Sequence, residues 1–197
     1  TPTYVDGFDG TANGAVSGFG QADFLETSSN FFISGGVSRT MTAWIKVDNA
    51  DRFNAILGLG EKFGSSKWSF ISHGTTNPDF IQNIGQTRIE IQGSGFNSAA
   101  PDPATSENII ETGTWGHAAV TYDSSTGEAK LYINGEPVKS DYFSFVSTTA
   151  TPLRIGNDFN SSPATRGFSG ALDEIRVYAD ALSDEQIKAI YDNTTLS

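Results

Sequence analysis

The sequence predicts an all-β protein whose antiparallel strands form a single domain over residues 1–197. The chain is long enough for one well-buried core, and single β-sandwich domains often reach this size. Its 21 glycines, 12% aromatic residues and only 18% charged residues are typical of a folded chain rich in strands and turns. Apolar and polar residues alternate in many short runs, and one segment alone has a helical pattern.

The strands are predicted from this alternation, starting at the N-terminus. Residues 1–20 are expected to be extended and rich in turns, because glycine recurs among short aromatic and acidic elements. In residues 39–47 (RTMTAWIKV) every second residue from Met41 to Val47 is aliphatic, which predicts a strand with an aliphatic core face. Further short strands are predicted at residues 54–59, 68–72 and 87–92.

A long loop and a hairpin follow in the middle of the chain. Residues 93–114 contain small residues and prolines with little periodicity, so they are expected to form a surface loop. Residues 115–122 read as a strand. Residues 129–133, followed by Asn134-Gly135, give the strongest short-range hairpin signal in the sequence.

One short helix is predicted near the C-terminus, over residues 182–192. Ser183 is a suitable N-cap residue, and Gln186 three positions later completes a capping box. Leu182 and Ile187 have the spacing of a hydrophobic staple across the start of the helix.

The charge and composition restrict the partners. With 12 basic and 23 acidic residues the net charge is −11, which disfavours nucleic acid and anionic lipid. No apolar run approaches the ~20 residues that span a membrane, so no membrane insertion is expected. There is no cysteine, so stability outside the cell would come from packing or from ions bound by oxygen ligands. The start at Thr1 suggests a mature or excised piece.

The last predicted strand contains an aspartate among apolar neighbours. In residues 170–178 (GALDEIRVY), Asp173 shares its phase with Ile175 and Val177. Because the β-branched phase is expected to face the core, Asp173 is predicted to point inward. A carboxylate in that position costs several kcal/mol unless it is paired, hydrogen-bonded or bound to a metal.

Two kinds of partner would satisfy Asp173. One is an ion pair with arginine or a set of hydrogen bonds from turn amides. The other is a structural calcium ion, which takes about six to eight oxygens, many of them backbone carbonyls. The acidic composition and the absence of cysteine favour calcium, with the turns around Asp9 and Gly20 supplying further ligands.

Five segments resemble a known family in their order and spacing. They are ADFLET, RTMTAWIKV, WGHAAVTYDSSTGEAKLYINGEPV, PLRIGND and FSGALDEIRVYADALSDEQIKAIYD. In these segments the chain is similar to the laminin-G-like domains of the concanavalin A-like lectin/glucanase superfamily. The hairpin and the C-terminal segment are the most specific parts of this resemblance.

The resemblance implies a two-sheet antiparallel jelly-roll sandwich with one short helix near the C-terminus. It also implies a structural calcium on the convex side, held by an aspartate near the start of the last long strand, where Asp173 stands. Members of this family are mostly secreted or surface-displayed modules that bind carbohydrate or protein. An extracellular or cell-surface location is therefore expected.

An intrinsic enzymatic activity is not expected. Retaining glycosidases need an acid and a nucleophile about 5 Å apart across one bond, and the E-x-D-x-E motif of related jelly rolls does not occur. Asp173-Glu174 would point to opposite faces, and Asp184-Glu185 would lie in the first turn of the helix. His117 is expected to pack within its strand, with general acid–base catalysis as the alternative.

A carbohydrate site combines an aromatic platform with polar groups that reach the sugar hydroxyls. The candidate ligand-binding residues are Trp68, His73, Arg88, Asn157, Asp158 and Asn160. The alternatives are a packing role for Trp68 and solvated turns with side-chain caps for the asparagines and the aspartate. Trp44 and Trp115 lie on regular strands and are expected to pack.

These observations lead to three functional hypotheses. The first is a non-catalytic carbohydrate-binding module, stabilised by calcium, that binds a polysaccharide or another glycan. The second is an adhesion domain that binds another extracellular protein, and the third is a polysaccharide lyase or glycoside hydrolase on the same fold. In each case the domain is expected to act as a monomer within a larger multidomain protein.

Overall fold

The computed structural model describes residues 2–50, 52–61, 66–73, 86–93, 96–100, 110–143, 146–159 and 166–192. Fourteen strands and one helix lie in these ranges. They are β1 Thr3–Val5, β2 Ala15–Ser17, β3 Leu25–Glu26, β4 Arg39–Val47, β5 Asn54–Gly60, β6 Lys67–His73, β7 Gln86–Gly93, β8 Phe96–Ala100, β9 Ile110–Glu111, β10 Trp115–Tyr122, β11 Glu128–Ile133, β12 Glu136–Tyr142, β13 Arg154–Ile155, β14 Gly170–Tyr178 and α1 Asp184–Tyr191.

The strands form two sheets in which every described strand pair is antiparallel. The first sheet has the order β1-β2-β14-β4-β10-β11-β12. The second has the order β3-β13-β5-β6-β7-β8, with β9 paired to β7. The predicted fold class, two antiparallel sheets with one short C-terminal helix, is confirmed.

The main hydrophobic core lies between the two sheets. Met41 and Ile45 of β4 are fully buried there, as the alternation in that strand predicts. Phe70 of β6 and Ile89 of β7 face them from the second sheet. The opposite face of each sheet, which we call its outer face, carries the other phase of each strand.

Most strand bounds agree with the sequence prediction, and one segment does not. The strands β4, β10 and β14 begin and end where alternation predicts. Residues 93–114 were expected to form a loop, but Phe96–Ala100 forms β8 and pairs with β7. Small residues such as Ser98 and Ala99 give no local strand signal, so pairing with a neighbouring strand determines this element.

The helix α1 packs on the outer face of the first sheet. Ser183 accepts a hydrogen bond from the backbone of Gln186, whose side chain accepts one from the backbone of Ser183, so the capping box is confirmed. Ile187 packs with Tyr132 of β11 and with Leu182 in a small second core. No helix in the described ranges is long and apolar enough to cross a membrane.

Candidate functional site

Asp173 lies on the outer face of the first sheet, and the predicted inward orientation is wrong. Its cross-strand partner is Trp44, whereas Leu172 pairs with the core residue Ile45. A β-bulge follows Asp173, with Glu174 in a left-handed conformation at φ 45°. The extra residue changes the phase of the strand, so the aliphatic residues after the bulge face the core while Asp173 does not.

Backbone amides satisfy the Asp173 carboxylate. The amide of Glu174 donates to Oδ1 at 2.7 Å, and the amide of Phe8 donates to Oδ2 at 3.1 Å. These contacts correspond to the turn-amide alternative that the sequence left open. The bond from Phe8 attaches the N-terminal segment to the last long strand.

A second carboxylate stands beside Asp173. A Cβ atom added to Gly7 would lie 2.6 Å from Asp173 Oδ2 and 3.2 Å from Asp9 Oδ1, so both oxygens border one small space. Asp9 Oδ1 accepts the Thr11 amide at 2.8 Å, and hydrogen bonds from Thr11 lower the pKa of Asp9. Each carboxylate oxygen that accepts one hydrogen bond retains a further lone pair.

The two carboxylates suit calcium in chemistry, since calcium prefers oxygen ligands. Within the ranges that the structure describes, no three acidic or histidine side chains surround one point. A calcium ion here would therefore need backbone carbonyls in addition to Asp173 and Asp9. The predicted ligand Gly20 has its contacts elsewhere, with Asp23 and Gly167.

Aromatic side chains cover the outer face of the first sheet next to Asp173. Phe8 stacks on Trp44 with ring centroids 4.2 Å apart and planes 7° from parallel. Tyr191 of α1 stacks on Trp44 at 5.5 Å, and His117 meets Trp44 edge-on at 5.6 Å. Trp44 therefore has the packing role that its strand position predicts.

His117 is a buried packing residue, as predicted. Only 1% of its surface is exposed, and neither ring nitrogen has a hydrogen-bond partner. Burial lowers the pKa of His117 to about 4, and the charge of Arg176 adds to the effect. A ring that is neutral and enclosed is unsuited to proton transfer with a ligand.

The expectation that Trp68 offers its ring to a ligand is wrong. Trp68 shares the core phase of β6 with Phe70 and is fully buried. The Arg39 guanidinium lies 4.9 Å from the centre of its indole ring. Polar residues precede Trp68 in the sequence, but Trp68 itself lies within β6, and its side chain faces the core.

Asn157 and Asp158 are also buried, contrary to the expectation of a surface loop. Asn157 Nδ2 donates to the carbonyls of Gln21 and Asp23 at 3.0 and 3.1 Å. Asp158 Oδ2 accepts from Arg166 Nη1 at 3.2 Å, and the Asp158 side chain is 1% exposed. Both residues hold their loop in place through internal hydrogen bonds and are not free to contact a ligand.

The remaining ligand-binding candidates are placed only in part. His73 of β6 and Arg88 of β7 are cross-strand partners, so the fold brings these two positions together. They lie in the outer phase of the second sheet, opposite to the phase of Phe70. Their side chains, and Asn160 as a whole, lie outside the described residues.

On the same outer face the structure shows a cluster that was not predicted. The central carbon of the Arg154 guanidinium lies over two phenyl rings, 4.1 Å from the centre of Phe24 and 3.8 Å from that of Phe159. Nε donates to Glu26 Oε1 at 3.1 Å, and Nη1 donates to the Asp158 carbonyl at 3.3 Å. We call Arg154, Phe24, Phe159 and Glu26 the Arg154 surface.

A glycine allows this cluster to lie directly on the second sheet. Arg154 pairs with Gly58 of β5, and a Cβ atom on Gly58 would lie 2.7 Å from Asp158 Cα. The loop that carries Asp158 and Phe159 therefore rests on the strand at this point. Residues from three distant parts of the sequence meet here, which explains why local patterns did not reveal the cluster.

The fold and this partly exposed surface define a lectin-like β-sandwich. The laminin G model of the concanavalin A-like lectin/glucanases superfamily matches residues 9–188. The chain belongs to this family.

The comparisons with individual proteins show how widely the fold is shared. The chain is 27% identical over 121 residues to an anhydrosialidase of Macrobdella decora; the match covers 55% of the chain but only 15% of that protein. Domain 4 of AbnA, a GH43 extracellular arabinanase from Geobacillus stearothermophilus solved with arabinotriose, is similar at a TM-score of 0.67 and 23% identity, over 97% of this chain and 81% of that one.

A second solved structure is also similar. It is the CBM40 of the Ruminococcus gnavus IT-sialidase, bound to α2,3 sialyllactose, with a TM-score of 0.58 and 16% identity. The similarity covers 87% of this chain and 100% of that one. At these identities the solved structures establish the shared fold of the chain.

Proposed function

We propose that the chain is a non-catalytic carbohydrate-binding module of a secreted or cell-surface protein. The Arg154 surface is the observation that carries this proposal. It combines partly exposed aromatic rings with a guanidinium and a carboxylate, whose side chains are 19% and 33% exposed. Apolar rings contact the C–H faces of a sugar, and the polar groups bind its hydroxyls.

The comparisons support the proposal. A domain of an arabinanase was solved with arabinotriose and a sialidase module with sialyllactose, and both share the fold of this chain. Their ligands differ in charge, so the shared fold is compatible with more than one kind of glycan. The sugar that binds this chain depends on the side chains of its own surface.

A binding role without catalysis fits the state of the carboxylates at this surface. Glu26 is paired with Arg154, and Asp158 is buried and paired with Arg166. A general acid needs a proton near neutral pH, and a nucleophile needs open access to the sugar. The Arg154 guanidinium occupies the accessible side of Glu26 Oε1, and the buried Asp158 side chain cannot reach a glycosidic bond.

We further propose that calcium stabilises the module at Asp173 and Asp9. The ion would supply positive charge between two carboxylates that already lie close together. Because Asp173 is in β14 and Asp9 is in the N-terminal segment, a shared ion would hold the N-terminal segment against β14. In this proposal the ion has no part in binding the sugar.

A glycan screen with the purified chain tests the proposed function. The protein is applied to an array of neutral and acidic oligosaccharides and polysaccharides, once with calcium and once with a chelator. We expect reproducible binding to at least one glycan, with no shortened product after prolonged incubation. Failure to bind any glycan while the protein remains folded would contradict the proposal, and release of product would show an enzyme.

A further inference from the structure

We propose that the Arg154 surface selects neutral glycans with adjacent hydroxyl groups and discriminates against acidic glycans. This inference rests on the proposed function and adds the class of ligand. The comparisons leave that class open, since one similar domain was solved with arabinotriose and another with sialyllactose. The chemistry of Arg154 and Glu26 distinguishes between the two classes.

The Arg154 guanidinium is held in a fixed orientation, and some of its N–H donors are not used by the described contacts. The rings of Phe24 and Phe159 both pack against it, while Nε donates to Glu26 and Nη1 donates to the Asp158 carbonyl. Among the described contacts, the second hydrogen of Nη1 and both hydrogens of Nη2 remain for a ligand. A preorganised fork of this kind loses little conformational entropy when it binds.

Glu26 adds an acceptor beside these donors. Its carboxylate is partly exposed and lies 3.1 Å from Arg154 Nε. A hydroxyl group both accepts and donates hydrogen bonds, so one hydroxyl of an adjacent pair can accept from Arg154 while its neighbour donates to Glu26. An ionised sugar carboxylate has no proton to donate, and it is repelled by Glu26.

The charges around the Arg154 surface also favour a neutral ligand. Arg154 is balanced by Glu26, and Arg166 is balanced by Asp158, so the cluster has no excess positive charge to attract an anion. The whole chain carries a net charge of −11, which repels a polyanionic polysaccharide at long range. Both the local contacts and the long-range field therefore favour a neutral ligand.

Affinity electrophoresis with soluble polysaccharides tests this inference. Laminarin and linear arabinan serve as neutral ligands, and alginate and polygalacturonate as acidic ligands. The variants are Arg154→Lys, which keeps the charge but loses the planar fork, and Glu26→Gln, which removes the negative charge. Arg176→Lys is the matched control, because Arg176 forms an exposed ion pair with Glu174 on the first sheet.

The intact protein is expected to be retarded by a neutral polysaccharide and not by the acidic ones. Arg154→Lys should weaken that binding about tenfold, because lysine lacks the planar, fixed donors that Arg154 presents to a hydroxyl. Glu26→Gln should weaken neutral binding and reduce the discrimination against acidic polysaccharides, and Arg176→Lys should bind as the intact protein does. Thermal melting of each variant shows that it is folded.

Stronger binding to alginate or polygalacturonate than to the neutral polysaccharides would overturn the inference. Neutral binding that is unchanged in folded Arg154→Lys and Glu26→Gln would also overturn it, while the proposed carbohydrate-binding function would stand. Failure to bind any polysaccharide, in this experiment and in the glycan screen, would contradict the proposed function itself.

Discussion

At the scale of single residues, this fold buries several polar side chains in hydrophobic surroundings. His117 is the clearest case, because its ring is enclosed by Trp44 and Tyr191 and has no hydrogen-bond partner for either nitrogen. Asn157 is equally buried, but internal hydrogen bonds satisfy its amide group. Of these two side chains only the imidazole can take up a proton near neutral pH, so His117 makes stability depend on pH.

His117 is expected to weaken the folded protein as the pH falls. Burial holds its pKa at about 4 in the folded protein, against 6.5 for a free histidine, so the unfolded chain binds more protons between these values. The stabilising contribution is complete above about pH 6.5 and is lost as the pH falls towards 4. Between pH 7 and pH 5 the free energy of unfolding should fall by about 2 kcal/mol.

Urea unfolding of the intact protein and of His117→Phe at the two pH values measures this effect. Phenylalanine fills a similar volume among the same rings but does not titrate, so the variant should lose most of the change. Burial raises the pKa of Asp184, but its hydrogen bonds with Tyr132 and Lys130 and the charge of Lys130 together lower it, and hydrogen bonds from Thr11 lower the pKa of Asp9, so both carboxylates titrate below this range. An equal loss of stability in both proteins would contradict the assignment to His117.

At the scale of secondary structure elements, the bulge in β14 has the largest consequence for the proposed metal site. It turns Asp173 to the outer face, where the carboxylate meets the backbone of Phe8 and lies beside Asp9. A straight strand would have placed Asp173 in the core. Because of the bulge, the Asp173 side chain can bind the N-terminal segment to the last long strand.

Removal of calcium is expected to lower the melting temperature of the module. An ion present at 100 times its dissociation constant would stabilise the folded chain by ~2.7 kcal/mol. Scanning calorimetry with calcium and with a chelator measures the shift. Asp173→Ala should melt at a lower temperature than the intact protein and should lose its response to calcium.

The control for this experiment is Asp48→Ala, which removes an exposed carboxylate just after β4. It changes the net charge by the same amount as Asp173→Ala but leaves the space beside Gly7 intact. It should keep the full response to calcium. A complete calcium response in Asp173→Ala would contradict the proposed site.

At the scale of the whole molecule, the two outer faces differ in what covers them. The outer face of the first sheet is covered by α1, by the aromatic layer around Trp44 and by the N-terminal segment. The outer face of the second sheet carries the Arg154 surface, with partly exposed rings and polar groups. We infer that the first face contributes mainly to stability and the second to ligand binding.

Features that depend on residues close together in the sequence were predicted, and features that depend on distant residues were not. Strand β4 and the capping box at Ser183 depend on neighbours within a few residues, and both were predicted correctly. The phase of Asp173 depends on a bulge that alternation cannot reveal. The Arg154 surface depends on Glu26 and Arg154, which are 128 positions apart and meet through pairing of β3 with β13.

Trp68 shows a related limit of sequence patterns. Its polar neighbours suggested a position at the mouth of a loop. Its burial depends instead on which residues of β6 face the core, and Trp68 is one of them. The six predicted ligand-binding residues nevertheless included His73 and Arg88, which the fold pairs in the outer phase of the second sheet. Whether His73 and Arg88 contact a ligand stays a prediction.

Chemical-shift mapping by NMR tests most directly whether sugar binds at the Arg154 surface. The ¹⁵N-labelled protein is titrated with a neutral oligosaccharide that the glycan screen identifies, and the Nε–H signal of Arg154 and the indole N–H signals of Trp44 and Trp115 are followed. The Arg154 signal is expected to shift progressively, while both indole signals on the first sheet stay unchanged. Saturable shifts of the two indole signals with an unchanged Arg154 signal would contradict the proposed binding surface.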